Sequence, residues 1–246
     1  MNKQTFFEKL DIYIKENIGA KLEEKQKEQM FFLADKLIET NKVMNLTAIV
    51  DEDGIILRHI VDSLLISELI PLGASLIDVG CGAGFPTLPL AIFRSDIKIT
   101  ALDSTEKRVR YVEGVARELG LSNVSAVSAR AEELAKLPEY RERFDFATAR
   151  AVASLPVLCE LTLPFVKVGG ILLSMKAKDA EAELSSSRRA IELLAGKDAF
   201  QSAEIKLSHL TGASTTEQRA VVIIKKSAAT PNAYPRKFGQ IKKSPL

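Results

Sequence analysis

Apolar residues in the first part of the chain recur at the three-and-four spacing of a helix. Phe6, Phe7, Leu10, Ile14 and Ile18 form one stripe, and Met30, Phe31, Leu33, Leu37 and Ile38 form a second within 21–40. A third helix is predicted over about 53–70, with Pro71 as its stop. TNKVMNLTAIVDEDG, between the second and third, is polar and turn-like.

From residue 75 the pattern changes. Short apolar runs at 75–79, 97–103, 123–129, 144–149 and 171–177 read as strands, and 105–120, 154–167 and 179–196 between them as helices. Residues 204–210 and 219–226 pair as a terminal hairpin whose last strand runs antiparallel. Strands separated by helices require crossover connections, so the predicted class is α/β: a seven-stranded, mostly parallel sheet covered on both faces. The expected division is a helical N-terminal extension over 1–71, the sheet domain over 72–227 and a tail over 228–246.

Composition narrows the class. Of 246 residues, 46% are hydrophobic and 27% charged, which suits a globular chain able to bury a core without disulfides. Intrinsic disorder, collagen and a disulfide scaffold are excluded. Two cysteines, Cys81 and Cys159, point to a reducing, cytoplasmic compartment. The N-terminus shows no signal-peptide pattern. No apolar run approaches the roughly 18 residues of a membrane helix, so no membrane partner is expected. No Cys/His cluster has metal spacing, so no metal is expected.

Net charge is +2, but its distribution is uneven. Seven basic residues and no acidic one follow Glu217: Arg219, Lys225, Lys226, Arg236, Lys237, Lys242 and Lys243. A basic end on an acidic body suits a phosphate-bearing partner, and Tyr234 and Phe238 interleaved with the bases suit nucleic acid. A merely solubilising tail is the alternative. Arg236, Lys237, Lys242 and Lys243 are the candidate RNA contacts, with Tyr234 and Pro235 expected to be structural. Because the tail is remote in sequence from the glycine loop described next, its charges are expected to leave ligand affinity there nearly unchanged.

The sharpest chemical feature is Asp78-Val79-Gly80-Cys81-Gly82-Ala83-Gly84, where a strand should end and a helix begin. Glycines there let the backbone meet a ligand closely. Asp103 ends the next strand, 23 residues after Gly80, which suits a ribose diol. The loop is G-x-G-x-G, with an acid two residues before it, rather than the dinucleotide pattern G-x-G-x-x-G. An acid there would repel a pyrophosphate but suits the ammonium of an amino-acid end, so S-adenosyl-L-methionine is favoured over NAD. A purely structural strand–turn–helix junction is the alternative.

Other candidates sit after later strands. Ala131 and Glu132 are placed to read an adenine edge, unless Glu132 merely faces a helix N-terminus. Arg150 follows the fourth strand and suits the methionine end or an RNA phosphate, a solvated arginine being the alternative; Lys176 ends the fifth strand. RHIVDSL, 58–64, packs Arg58, His59, Asp62 and Ser63 into two turns. Arg58 and Asp62 have the spacing of a surface ion pair, and His59 suits a structural hydrogen bond. There is no Ser-His-Asp pattern. Cys81 in the loop and Cys159 in a helix argue against the two-cysteine chemistry of pyrimidine methylation.

These segments together resemble the glucose-inhibited division protein B family, bacterial methyltransferases of guanine N7 in 16S ribosomal RNA. The likeness is carried by NLT at 45–47, RHIVDSL at 58–64, LIDVGCGAGFPTLPLAI at 76–92, LDSTEKR at 102–108, ARAEE at 129–133, ARAVA at 149–153 and YPRKFGQIKKSPL at 234–246. Thr87 stands where the family usually has glycine, and Lys176-Ala177 where it often has Lys-Gly. The resemblance implies a class I S-adenosylmethionine-dependent methyltransferase fold, Rossmann-like, with a helical N-terminal extension. It implies cofactor contacts from Gly80, Phe85, Asp103, Ser104, Thr105, Ala131, Glu132 and Arg150. It implies 16S ribosomal RNA, in the small subunit or an assembly precursor, as partner.

Guanine N7 offers a lone pair and no proton, so a transfer to it needs positioning rather than a base, with Arg58, His59 and Arg150 as candidate positioning groups. A small-molecule methyltransferase, a nicotinamide-dependent oxidoreductase and a non-catalytic RNA-binding assembly factor are the competing readings. Turnover without RNA, protection by NAD, and RNA binding without turnover would distinguish them in that order.

Overall fold

The computed structural model describes residues 1–177, 179–213 and 215–246. Helix α1 (Lys3–Ile18) starts where the Asn2 side chain accepts from Thr5 N–H, and stops at Gly19 in the left-handed region. Helix α2 (Glu24–Met44) outruns its predicted end at 40. Asn45 closes it with a φ of 50°. The Asn41 side chain grips the backbone N–H and carbonyl of Thr47, so the polar TNKVMN continues the helix before it turns.

The third helical region is one continuous rod of three pieces: α3 (Glu52–Gly54), a π-helical stretch Ile55–Val61, and α4 (Asp62–Leu64). Asp62 N–H reaches back five residues to the carbonyl of Leu57. A 3-10 turn, Ser67–Leu69, precedes Pro71. Wide π turns are rare and concentrate at functional sites; this one carries Arg58 and His59.

The sheet has seven strands: β1 (Ser75–Val79), β2 (Lys98–Asp103), β3 (Val124–Ser128), β4 (Phe144–Arg150), β5 (Val166–Lys176), β6 (Glu204–Thr211) and β7 (Thr216–Lys225). Their order is β3-β2-β1-β4-β5-β7-β6. The first five are parallel, and β7 runs antiparallel to both β5 and β6. Helices α5 (Thr87–Phe93), α6 (Glu106–Glu118), α7 (Ala131–Leu134) and α8 (Leu155–Thr162) connect the parallel strands. Helices α9 (Ala180–Ser186) and α10 (Arg188–Ala195) lead to the hairpin, and α11 (Phe238–Lys243) lies near the chain's end.

Two further elements differ from expectation. The helix predicted over 179–196 breaks at Ser187, because the Ser186 and Ser187 hydroxyls both donate to the carbonyl of Glu183 and compete with the helical ladder. The helix predicted over 154–167 ends at Thr162, and β5 begins at Val166 rather than 171. Gly170 permits this: a Cβ there would stand 2.5 Å from the carbonyl oxygen of Asp145 on β4.

Each sheet face has its own core. On one, Leu76, Ile99 and Leu173 pack with α5 and α6, and with Phe6, Leu10, Met30, Leu37 and Ile60 of the N-terminal helices. On the other, Ile77, Leu102 and Leu172 pack with α8 and α10. The N-terminal helices therefore share a core with the sheet, each buried Leu, Ile or Phe contributing about 1.5–3 kcal/mol. The chain moves outward from β1 to β2 and β3, then returns to place β4 on the other side of β1. Between β1 and β4 the strand order reverses, and the crevice at their carboxyl ends is where such sheets bind ligands.

Candidate functional site

Two cavities open along this edge of the sheet, one at the ends of β1 to β4 and one beside it over β4, β5 and β7. The first, about 270 Å³, is lined by Gly80, Asp103, Ser104, Ala131, Glu132 and Phe238 among others. The second, about 470 Å³, is bordered by Arg58, His59, Asp62, Arg150, Lys176 and Arg219 among others. Ala151 lines both. It follows β4 with a φ of +56°, a conformation that costs an alanine on the order of 1 kcal/mol. Its backbone is where the two chambers meet.

The first cavity is built by the glycine loop. Gly80 has a φ of +80°, and a Cβ there would meet Cγ2 of Val152 at 2.6 Å. Asp103 holds the loop in place. Its Oδ2 accepts from Gly82 N–H at 3.0 Å and its Oδ1 from Thr105 N–H at 2.8 Å. A carboxylate has about four acceptor positions, so two remain for the hydroxyls of a diol. Thr105 thus acts through Asp103, as the N-cap of α6, and lines neither cavity. Glu132 is 7% exposed, and its carboxylate takes no hydrogen bond among the described residues. A carboxylate that opens on the cavity with no partner among the described residues suits an amino group supplied from outside the chain.

Asp78 lies beneath the loop, 1% exposed. Thr87, the departure from the family's usual glycine, donates its hydroxyl to Asp78 Oδ2 at 2.7 Å, while Oδ1 has no partner. Burial pushes the Asp78 carboxyl up to about 6, the Thr87 hydrogen bond and the Arg150 charge opposing it. The orphaned Oδ1, the Gly80 cradle and the unpartnered Glu132 all fit an S-adenosylmethionine with its ammonium, ribose and adenine ends.

The second cavity is walled by charge. Asp62 accepts from Arg150 Nη1 at 2.8 Å and from Arg219 Nε at 3.1 Å. Arg150 Nη1 also donates to the carbonyl of Arg58, leaving its Nη2 and Nε unpartnered among the described residues. Arg58 pairs with Glu217 on β7, so the expected Arg58–Asp62 surface pair is replaced by longer-range partners. Partly enclosed partners on β4 and β7, each a charge-assisted hydrogen bond, offer more than a solvated neighbour one turn away. Lys176 donates to Glu183 and to the carbonyl of Ala153.

His59 lies under this wall, with Nε2 2.8 Å from Thr47 Oγ1. Its ring stacks on Phe85 at 4.7 Å between centroids. Burial first, and the Arg150 charge second, pull its pKa down to about 4. At neutral pH the ring is uncharged and packed, and its Nδ1 has no partner among the described residues. Phe85 is the layer beneath it and lines neither cavity. Both cysteines are buried, and burial holds the Cys81 thiol far above its ordinary range and raises that of Cys159 to about 12.

The tail departs most from expectation. Arg236 clamps Glu160 of α8, a fully buried carboxylate, with Nη2 to Oε2 at 2.6 Å and Nε to Oε1 at 2.9 Å. It is a structural anchor in this arrangement, unlike the phosphate contact expected of it. Lys226 is buried against Glu142 and two carbonyls, and Arg219 belongs to the Asp62 network. Of the seven cations after Glu217, Lys225, Lys237, Lys242 and Lys243 are exposed. Pro235 is buried and Tyr234 half-buried, its carbonyl accepting from Arg141. Phe238, read from the sequence as a nucleic-acid aromatic, instead lines the first cavity, so the tail is close in space to the loop from which it is remote in sequence. Thr47 and Val152 lie in the NLT and ARAVA segments and Arg219 in the basic run, but their spacing gave no hint of their contacts with His59, the Gly80 position and Asp62, which tertiary packing makes.

Among the described residues no group could hold a metal ion, and no helix is long and apolar enough to cross a membrane. Comparison with solved structures shows the class I methyltransferase fold. An O-methyltransferase from Bacillus cereus in complex with SAH aligns with a TM-score of 0.55 at 17% identity, covering 91% of this chain and all of that one. TYW2 of M. jannaschii in complex with AdoMet aligns with a TM-score of 0.52 at 13% identity, covering 67% and 74%. Sequence relatives are much nearer. "Ribosomal RNA small subunit methyltransferase G" of Acetivibrio thermocellus is 43% identical over 99% of this chain and 98% of its own length. The protein of the same name from Leuconostoc citreum is 44% identical over 93% and 94%. Residues 26–211 match the GidB family, described as rRNA small subunit methyltransferase G. With that match over most of its length and relatives above 40% identity almost end to end, the chain belongs to the GidB family of rRNA small subunit methyltransferases.

Proposed function

We propose that the protein transfers a methyl group from S-adenosyl-L-methionine to N7 of a guanine in 16S ribosomal RNA, in the small subunit or an assembly precursor. The observation that carries this reading is the pair of chambers meeting at Ala151. One is lined by Asp103 and Glu132, acceptors for a ribose and an adenine amino group, with Asp78 buried beneath its loop; the other is bordered by Arg58, Arg150, Arg219 and Lys176, a wall for a base attached to phosphates.

When bound, S-adenosylmethionine supplies an electrophilic methyl group. Asp103 would hold the ribose hydroxyls, Glu132 the adenine amino group and Asp78 the ammonium, while Gly80 lets the backbone lie close. Guanine N7 carries a lone pair and no proton, so no side chain has to remove one. The neutral His59 and the two buried thiols agree with a site that works by positioning and exclusion of water. The unpartnered nitrogens of Arg150 are placed to hold the base or its phosphate. The exposed Lys237, Lys242 and Lys243 supply long-range attraction to RNA. In keeping with a ribosomal substrate, we place the protein in the cytoplasm.

The test is transfer of labelled methyl to free 16S RNA, 30S particles and 70S ribosomes, followed by nucleoside analysis. Label in 7-methylguanosine is expected. Label at another atom, or transfer to small molecules alone, overturns the proposal.

A further inference from the structure

We propose that the C-terminal helix α11 is a lid on the cofactor cavity, with Phe238 as the aromatic wall against which the adenine ring seats. The inference rests on the reading of the first cavity as the adenosine chamber. Phe238 is 37% exposed and lines that cavity with Gly80, Asp103, Ala131 and Glu132. A half-open phenyl ring on a surface is ordinary by itself. This one is held in place from three sides. Ile241, one turn later, is fully buried against Val157 and Leu161 of α8, and Leu161 also lines the cavity. Arg236, two residues earlier, is bolted to the buried Glu160. The guanidinium of Arg130 lies 5.9 Å from the ring centroid as a cation–π brace.

The chamber's two recognition elements are complementary. Glu132 offers an unpartnered carboxylate for the adenine amino group, and Phe238 offers a π face for the ring. Face and edge together define a purine more narrowly than either alone. The aromatic of the basic tail would then stack on a base, that of the cofactor.

The chain contains no tryptophan, which gives a direct test in the full-length protein. Phe238→Trp installs a sole indole at the lid. Its fluorescence should be quenched by S-adenosylhomocysteine and by 5′-methylthioadenosine, and not by homocysteine, which lacks the base. In calorimetry, Phe238→Ala should weaken S-adenosylhomocysteine and 5′-methylthioadenosine by a similar factor, about 5- to 150-fold, as expected for loss of one base–aromatic stack. Phe238→Tyr should restore affinity and Phe238→Leu should not. Unchanged affinity in Phe238→Ala, equal rescue by leucine, or binding to Phe238→Trp without quenching overturns the lid alone. A wild-type protein that binds neither ligand overturns the cofactor reading, and the lid with it. Should Phe238→Ala fold poorly, the fluorescence of Phe238→Trp decides the question.

Discussion

Thr87 donates its hydroxyl to Asp78 at 2.7 Å, beneath a glycine loop that leaves the other Asp78 oxygen without a partner. The pair sets up the first prediction. Asp78 is raised from 3.8 to about 6 by burial, so the folded chain binds this proton more tightly than the unfolded one. Its contribution to stability is present in full below about 3.8 and is lost as pH rises through about 6. Asp78→Asn should therefore stabilise the ligand-free protein at pH 7 by about 1–3 kcal/mol and flatten its stability between those pH values. The same variant should bind S-adenosylhomocysteine at least about tenfold more weakly, because the ammonium loses its carboxylate. Thermal melts across pH and calorimetry check both signs. A variant less stable at pH 7, yet with wild-type affinity, would reverse the assignment.

The loop itself is tested at Gly80 and Asp103. Gly80→Arg puts a side chain where a Cβ alone would stand 2.6 Å from Val152 Cγ2, on backbone in the left-handed region. It should abolish detectable cofactor binding. Asp103→Ala should weaken it by about 1–3 kcal/mol, through loss of the ribose acceptor and of the anchors for Gly82 and Thr105. Isothermal titration with S-adenosylhomocysteine is the measurement, and wild-type affinity in both variants would remove the loop from the cofactor site.

The cysteines should be dispensable. Cys81 and Cys159 are both buried, with thiols that burial keeps protonated at neutral pH. A Cys81→Ala, Cys159→Ala double variant should keep substantial methyl transfer to RNA. A folded, cofactor-binding double variant without any transfer would bring back covalent chemistry.

The tail's cations should divide into two groups. Replacing Lys237, Lys242 and Lys243 with alanine should lower RNA affinity and reduce its logarithmic salt slope by roughly three units or less, with the melting temperature unchanged. Arg236→Ala should instead destabilise the fold by about 3–5 kcal/mol, since it strands the buried Glu160 carboxylate. It should also weaken cofactor binding if α11 is the lid. Filter binding over a salt range and a melting curve for each variant separate the roles. A large salt-slope change in Arg236→Ala with no loss of stability would return that residue to the RNA surface.

Much of the frame was legible because the signals are local. Alternation of apolar strands and amphipathic helices is a property of neighbouring residues, and it placed all seven strands, the antiparallel last one included. Glycines after a strand, and an acid at the end of the next, mark a loop and its partner without any knowledge of packing. Serine competition at 186–187 and the early start of β5 were missed, because they depend on which backbone group a side chain or neighbouring strand reaches once the chain is compact.

Sequence by itself determined the fold class, the glycine loop with Asp103, and the family resemblance, because each is written in short-range pattern and spacing. Only the tertiary structure decided the allegiance of the charges. Arg58 leaves Asp62 for Glu217, Asp62 gathers Arg150 and Arg219, and Arg236 turns inward to Glu160. Ion-pair partners are chosen by proximity and desolvation in the folded chain, and a one-dimensional charge count contains neither. The same holds for Phe238. Its place in the tail suggested contact with RNA, but the packing of Ile241 on α8 brings it to the first cavity, 158 positions after Gly80 in the chain and lining the same chamber.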